Sequence, residues 1–144
     1  MKSGKVPVNV LKRSVLRQLK NKRSEIANSA DLGADCAIFE PLPEGQMVTC
    51  VQEGVVELCC ENDLAEAEKE DPSVMPMRRL FQKCANNLAV AGAEPVAAEL
   101  VIFLPESVEE PELKALMAEA EGAAAEINVQ IIGGQTRVSS AVRQ

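Results

Sequence analysis

The sequence predicts an α+β fold. Segments with apolar residues at helical spacing alternate with segments rich in β-forming residues, in the order helix, strand, strand, helix, strand, helix, strand. The 144 residues are 47% hydrophobic, which is enough for one core of ordinary domain size but not for two. Two helices covering one face of a four-stranded sheet would give a ferredoxin-like arrangement.

The first predicted helix spans residues 8–20. Val8, Leu11, Val15 and Leu19 recur at helical spacing, and lysines and arginines lie between them. This basic face would either meet a phosphate or be solvated. The polar stretch 20–35 predicts a loop.

Two strands are expected next, joined as a hairpin. The first is "CAIFEPL", residues 36–42, and the second is "MVTCVQE", residues 47–53. Because the second strand carries apolar residues at both parities, both faces of the sheet need a cover, and a second copy of the chain would supply one. The acidic residues of segment 57–71 would form a solvated surface or a cation site.

The next helix is predicted from Leu80, Cys84 and Leu88, which share one face, and Gly92 would end it. Asn87 should lie at the edge of its buried face. The long apolar run "VAAELVIFLP", residues 96–105, then predicts a central strand buried on both faces.

The last helix should begin at Ser107, which has the capping-box spacing to Glu110. Its apolar stripe consists of Leu113, Leu116, Met117, Ala120, Ala124 and Ile127. A short strand over 129–134 would end in a turn at Gly133 and Gly134, and residues 136–142 would form another strand. The glycine pair would either bring backbone amides close to an anion or serve only the backbone geometry of a strand end.

Composition excludes several classes of function. A net charge of −7 and an aromatic content of 2% argue against nucleic-acid binding. Neither a membrane span nor a signal peptide is visible, which predicts a cytoplasmic protein. The absence of His rules out a His-dependent triad. Five cysteines without C-x-x-C spacing favour buried thiols over disulfides or a zinc site.

Four stretches, taken in order, resemble one superfamily. They are "GKVPVNVLKRSVL", "LGADCAIFE", "CANNLAVAGAEPVAAELVIFLPE" and "VQIIGGQTRV". Together they resemble the N-terminal domain of the aminoimidazole ribonucleotide (AIR) synthase superfamily, and the first and third stretches are most similar to its HypE-like members.

The resemblance implies a single domain over residues 1–144. A first helix and loop would occupy 1–32 and the α+β core 33–144, without the C-terminal domain of the family. The domain would dimerise through its sheet face and bind ATP with Mg²⁺. A C-terminal domain or a maturation partner protein would complete the active site, and neither nucleic acid nor membrane would be a partner.

The resemblance also implies a set of site residues, although it assigns no catalytic residue. Mg²⁺ would be held by Asp35, Glu53 and Asn87. The nucleotide would be lined by Asp35, Asn87, Gly133, Gly134, Gln135 and Arg137. The residues themselves leave other roles open: Asp35 could be an ordinary loop residue and Asn87 a hydrogen-bonding residue at a helix edge.

This chain departs from the family where carboxylates are expected. The metal-binding acid of the second strand aligns with Gln52 or, with a one-residue slip, with Glu53. Asn87 stands at the position of another such acid, and Arg137 stands where HypE-like members often have an acid. Mg²⁺ prefers anionic oxygens, so these changes weaken its site. The leading hypothesis is therefore a dimerising, weakly catalytic or non-catalytic domain. The alternatives are the ATP-binding half of an active HypE-like enzyme acting on a carboxamide-type substrate, or a regulatory anion binder.

Overall fold

The computed structural model describes residues 4–28, 31–32, 38–39, 47–54 and 76–142. The described elements confirm a mixed α+β fold. In chain order they are β1 (Gly4–Lys5), α1 (Val8–Val10), β2 (Ile26–Asn28), β3 (Ile38–Phe39), α2 (Pro76–Val90), β4 (Ala97–Leu104), α3 (Glu110–Glu126) and β5 (Gln130–Val138).

The predicted first helix is present but irregular. After α1 the chain continues as a π-helical turn, Leu11–Val15, and a 3₁₀ turn, Leu16–Gln18. Ser14 and Val15 are buried on its inner side. We call residues 8–18 the N-terminal helix. The following stretch, predicted to be a loop, contains the short strand β2.

The strands within the described ranges form two sheets, so a four-stranded sheet is not confirmed. The larger has the order β1-β5-β4, with β4 parallel and β1 antiparallel to β5. The smaller pairs β2 with β3. The predicted hairpin between 36–42 and 47–53 is wrong, because β3 pairs with β2 and residues 47–54 form no strand. High β-propensity alone does not make a strand where no partner strand is aligned.

The apolar run 96–105 forms a strand as predicted, but the prediction that both of its faces are buried is wrong. β4 lies at the edge of the described sheet, and only its inward residues, such as Leu104, pack on the core. Val101 is 64% and Phe103 56% exposed on the opposite face. The run is apolar throughout, yet its side chains alternate between the core and the exposed face of the sheet.

Helix α2 ends where the sequence predicts. Gly92 adopts a φ of 73°. Its N–H donates to Ala89 O, and the N–H of Ala93 donates to Leu88 O, which is the Schellman pattern. The most buried side chains of α2 are Met77 and Phe81, so the buried stripe begins one turn before the predicted one.

Helix α3 confirms its predicted stripe but begins later than predicted. The capping box joins Glu109 and Glu112 instead of Ser107 and Glu110, and Glu112 Oε2 accepts the N–H of Glu109 at 2.6 Å. Pro111 suits this start, because the first turn of a helix needs no N–H donor there.

The core lies between one face of the larger sheet and the helices. Helix α3 packs against α2, the N-terminal helix and β5. Leu113, Ala120 and Ala124 are fully buried. The strands contribute Leu104, Ile131 and Val138, and α2 contributes Met77 and Phe81. No described element packs on the opposite face of this sheet.

Candidate functional site

The glycine pair lies inside β5, so the predicted turn at Gly133 and Gly134 is wrong. The register between β4 and β5 shifts after Ala98, because two residues of β5 are used between successive partners. Gly134 has a φ of 131°, and a Cβ there would lie 1.9 Å from Leu100 O. Gly134 is therefore required by the close approach of β4, whatever else it does.

Gly133 is different from its neighbour. A Cβ at Gly133 would meet no atom within 4 Å, and the residue is half-buried. The backbone is thus open on this side, so an anion could approach it. The structure gives Gly133 room for a ligand, whereas it gives Gly134 a packing constraint.

Gln135 and Arg137 lie on the solvent-facing side of the larger sheet. In the register of the strands Gln135 pairs with Val101, and Arg137 pairs with Phe103 and, on its other side, with Lys5. Paired residues of neighbouring strands project to the same face. We call this surface the open face; it consists of Lys5, Glu99, Val101, Phe103, Gln135 and Arg137.

Glu53 lies in the non-strand segment 47–54, which runs along α2. Cys50 Sγ is 3.5 Å from Cys84 O, and a Cβ at Gly54 would lie 3.2 Å from the side chain of Leu80. The two contacts show that the segment runs antiparallel to the helix. Glu53 therefore lies toward Leu80, about 10 Å of helix rise before Asn87.

The described residues do not by themselves provide a magnesium site. Glu53 and Asn87 are both exposed, and they lie toward opposite ends of the contact between 47–54 and α2. Asp35, the third predicted ligand, lies outside the described residues. Among the described residues no group of three His, Cys, Asp or Glu side chains is placed to hold a metal ion.

The basic face of the N-terminal helix is anchored to α3 by a carboxylate. The Arg13 guanidinium makes a two-pronged ion pair with Glu110, through Nε to Oε1 and through Nη2 to Oε2 at 2.5 Å. The hydroxyl of Ser14, which is fully buried, donates to the same carboxylate at 2.9 Å. Hydrogen bonds from Arg13 and then Ser14 lower the pKa of Glu110 to about 2.

A shallow groove of about 300 Å³ lies beside this ion pair. Its lining adds Arg17, Gln18 and Lys114 to the three residues of the cluster. The basic face is therefore partly engaged in an internal contact, and the remaining cations border solvent. Sequence spacing suggested the basic face, but it could not indicate Glu110 as its partner, 97 residues away.

The chain after the N-terminal helix is tied to α3 and to the loop between α3 and β5. Glu121 is buried, and its Oε1 accepts the backbone N–H groups of Lys20, at 2.8 Å, and Asn21. Arg23 donates to Asn128 O at 3.0 Å and pairs with Glu25 at 2.7 Å. The hydrogen bond from Arg23 is the largest of the effects that lower the pKa of Glu25 to about 2.

A pair of thiols was missed by sequence reasoning. Cys50 and Cys84 are both half-buried and adjacent. Burial first, and then the neighbouring Cys50 thiol, raises the pKa of Cys84 to about 11. Cysteines in no recognised motif give no sequence signal of such proximity.

Comparison with known proteins identifies the family of the chain. Within the described residues no helix has the length and apolar character needed to cross a bilayer. No curated protein matches the chain. The family described as AIR synthase related protein, N-terminal domain, matches residues 33–143. This match covers most of the chain and includes the strand that carries Gly133, Gly134, Gln135 and Arg137, so the protein belongs to the AIR synthase-related N-terminal domain family.

Proposed function

We propose that this chain is a dimerising member of the AIR synthase-related family, nearest in kind to HypE-like proteins, with a depleted Mg-ATP site and little or no catalysis of its own. The observation that carries the proposal is the open face. Val101 and Phe103 are 64% and 56% exposed there, next to each other along one strand. Large apolar side chains grouped on a solvent-facing sheet mark an interaction surface.

The charges of the open face favour a second copy of the chain as its occupant. Lys5 and Arg137 lie at the Phe103 end of the face, and Glu99 lies at the other end, next to Gly133. A two-fold axis through the middle of the face would bring Glu99 of each copy toward Arg137 of the other. The apolar pair would then be buried between two reciprocal ion pairs.

The proposed dimer also affects the residues that would bind the nucleotide. Gln135 and Arg137, proposed to line the phosphates, lie on the surface that the dimer would cover. Arg137 can contact a phosphate directly but repels a metal ion. Mg²⁺ is usually bound through one or two carboxylates together with phosphates, and Asn87 supplies no charge. ATP with Mg²⁺ therefore remains a weak ligand in this proposal.

Sedimentation equilibrium tests the dimer. We expect the unaltered chain to be dimeric at micromolar concentration and Phe103→Glu to be monomeric. Val90→Glu is the matched control, because Val90 is 92% exposed on α2 and lies off the open face. A monomeric unaltered chain, or equal association of both variants, would contradict the proposal.

One observation favours the alternative, an ATP-binding half of an active HypE-like enzyme that phosphorylates a carboxamide-type substrate. The open space beside Gly133, close to Gln135, leaves room for an anion against the backbone. This enzyme would need a C-terminal domain or a maturation partner protein to complete its site. Calorimetry with millimolar Mg-ATP on the folded chain separates the two: heat that requires Mg²⁺ supports the alternative, and its absence supports depletion.

A further inference from the structure

Cys50 and Cys84 are in contact although 34 residues separate them in the chain. The Cys50 thiol donates to Cys84 O at 3.5 Å. Both residues are half-buried, so each is shielded by packing yet reachable from solvent. Burial is the first cause of the raised pKa of Cys84, and the neighbouring Cys50 thiol is the second.

We propose that Cys50 and Cys84 form a reversible disulfide that fastens residues 47–54 to α2. The helix provides a fixed partner, and the second contact, between Gly54 and Leu80, holds the segment alongside it. Forming the bond requires the two side chains to turn toward each other while the backbones stay alongside. The bond would close a loop that joins the segment 47–54 to α2.

The oxidant is a small-molecule disulfide such as oxidised glutathione. The thiolate of Cys50 attacks one sulfur of the oxidant, forming a mixed disulfide and releasing one glutathione thiolate. Cys84 then loses its proton to solvent, and its sulfur attacks the Cys50 sulfur and expels the second glutathione. The two cysteines lose two electrons and two protons in total, and the oxidant gains them as two thiols.

The bond would also fix two candidate ligands. Cys50 lies three residues before Glu53, and Cys84 lies three residues before Asn87. Oxidation would hold the segment of Glu53 against the helix of Asn87. This consequence rests on the proposed family site, whereas the formation of the disulfide does not, so the test below measures the disulfide alone.

The test uses the full chain with Cys36, Cys59 and Cys60 replaced by Ser, which leaves only the pair. The protein is equilibrated with oxidised and reduced glutathione, quenched in acid and mapped by mass spectrometry. We expect loss of two hydrogen atoms and a cross-linked Cys50–Cys84 peptide, both reversed by excess thiol. In the same background, Cys50→Ser and Cys84→Ser should instead gain at most one glutathione.

The same equilibrium measured in concentrated urea shows whether the fold holds the thiols together. We expect the ring-closing constant to be at least about tenfold larger in the folded chain, because the folded structure raises the effective concentration of the two groups. Equal constants, or mixed disulfides without the cross-linked peptide, would overturn the proposal. If circular dichroism shows that the triple Ser variant is unfolded, peptide mapping of the unaltered chain gives the same decision.

Discussion

The carbonyl oxygen of Leu100 lies 1.9 Å from the position that a Cβ on Gly134 would occupy. β4 therefore approaches β5 too closely for any side chain at that position. We expect Gly134→Ala to lower the free energy of unfolding by at least about 2 kcal/mol, because it combines a backbone clash with a strained positive φ.

Gly133→Ala is the matched control for this prediction, since a Cβ there meets nothing within 4 Å. Its effect should stay within about 1 kcal/mol. Urea denaturation of both variants measures the difference. Equal losses of stability would show that the bulge in β5 is not held as described.

The ion pair between Arg13 and Glu110 should make the free energy of unfolding depend on pH in the acidic range. The pKa of Glu110 is lowered from 4.5 to about 2 in the folded chain, first by the hydrogen bond from Arg13. A lowered pKa stabilises the fold above the unfolded value, so this contribution is complete above about pH 4.5 and is lost as pH falls toward 2.

The Glu110→Gln variant should therefore lose less stability than the unaltered chain between about pH 4.5 and pH 2. Midpoints of urea unfolding along a pH series measure this loss. Arg13→Gln should flatten it in part, because Ser14 still donates to the carboxylate. A Glu110→Gln profile that falls as steeply as that of the unaltered chain would contradict the assignment.

The buried carboxylate of Glu121 joins α3 to the chain after the N-terminal helix. Its Oε1 accepts two backbone N–H groups, whereas its Oε2 has no hydrogen-bond partner among the described residues. Glu121→Ala should cost about 1–3 kcal/mol, because it leaves these donors unpaired. Glu121→Gln keeps the accepting oxygen and should cost less. Thermal unfolding of both variants measures the two costs. Equal losses of stability would contradict the role of the accepting oxygen.

Local signals in the sequence predicted the helices well. The spacing of Leu113, Leu116 and Met117 gave α3 its buried stripe, and Gly92 marked the end of α2, because both features depend on residues within a few turns. The start of α3 was misplaced by a few residues, since several carboxylates near Ser107 could serve as caps.

Long-range pairing could not be predicted in the same way. Within 96–105, apolar residues occur at both odd and even positions, which suggests burial on both faces. Burial, however, depends on what packs against each face, and Val101 and Phe103 have no cover among the described residues. The candidate site shares this limit. Resemblance proposed Gln135 and Arg137, but only the strand register shows that they lie beside Phe103.

Restoring carboxylates tests whether the metal site is depleted. When ATP is titrated into the unaltered chain, we expect calorimetry to show no Mg²⁺-dependent heat of binding. Asn87→Asp combined with Gln52→Asp should create Mg²⁺-dependent heat, because it returns two carboxylates to the segments that contact each other through Cys50 and Cys84.

Asn87→Gln combined with Gln52→Asn is the control, because it changes side-chain length without adding charge. Strong binding of Mg-ATP by the unaltered chain would contradict depletion. If the double Asp variant binds no metal despite an intact fold, the nucleotide site does not include these two positions.

Dimerisation through the open face is tested most directly by sedimentation equilibrium of variants in which the charges at Glu99 and Arg137 are reversed. Glu99→Arg alone and Arg137→Glu alone should each weaken association by about tenfold or more, because each places like charges across the two-fold axis. The double variant should recover affinity to within about threefold, since the opposite charges meet again. Association that ignores both single reversals, or a double variant no better than either single one, would show that the two copies do not meet on this face.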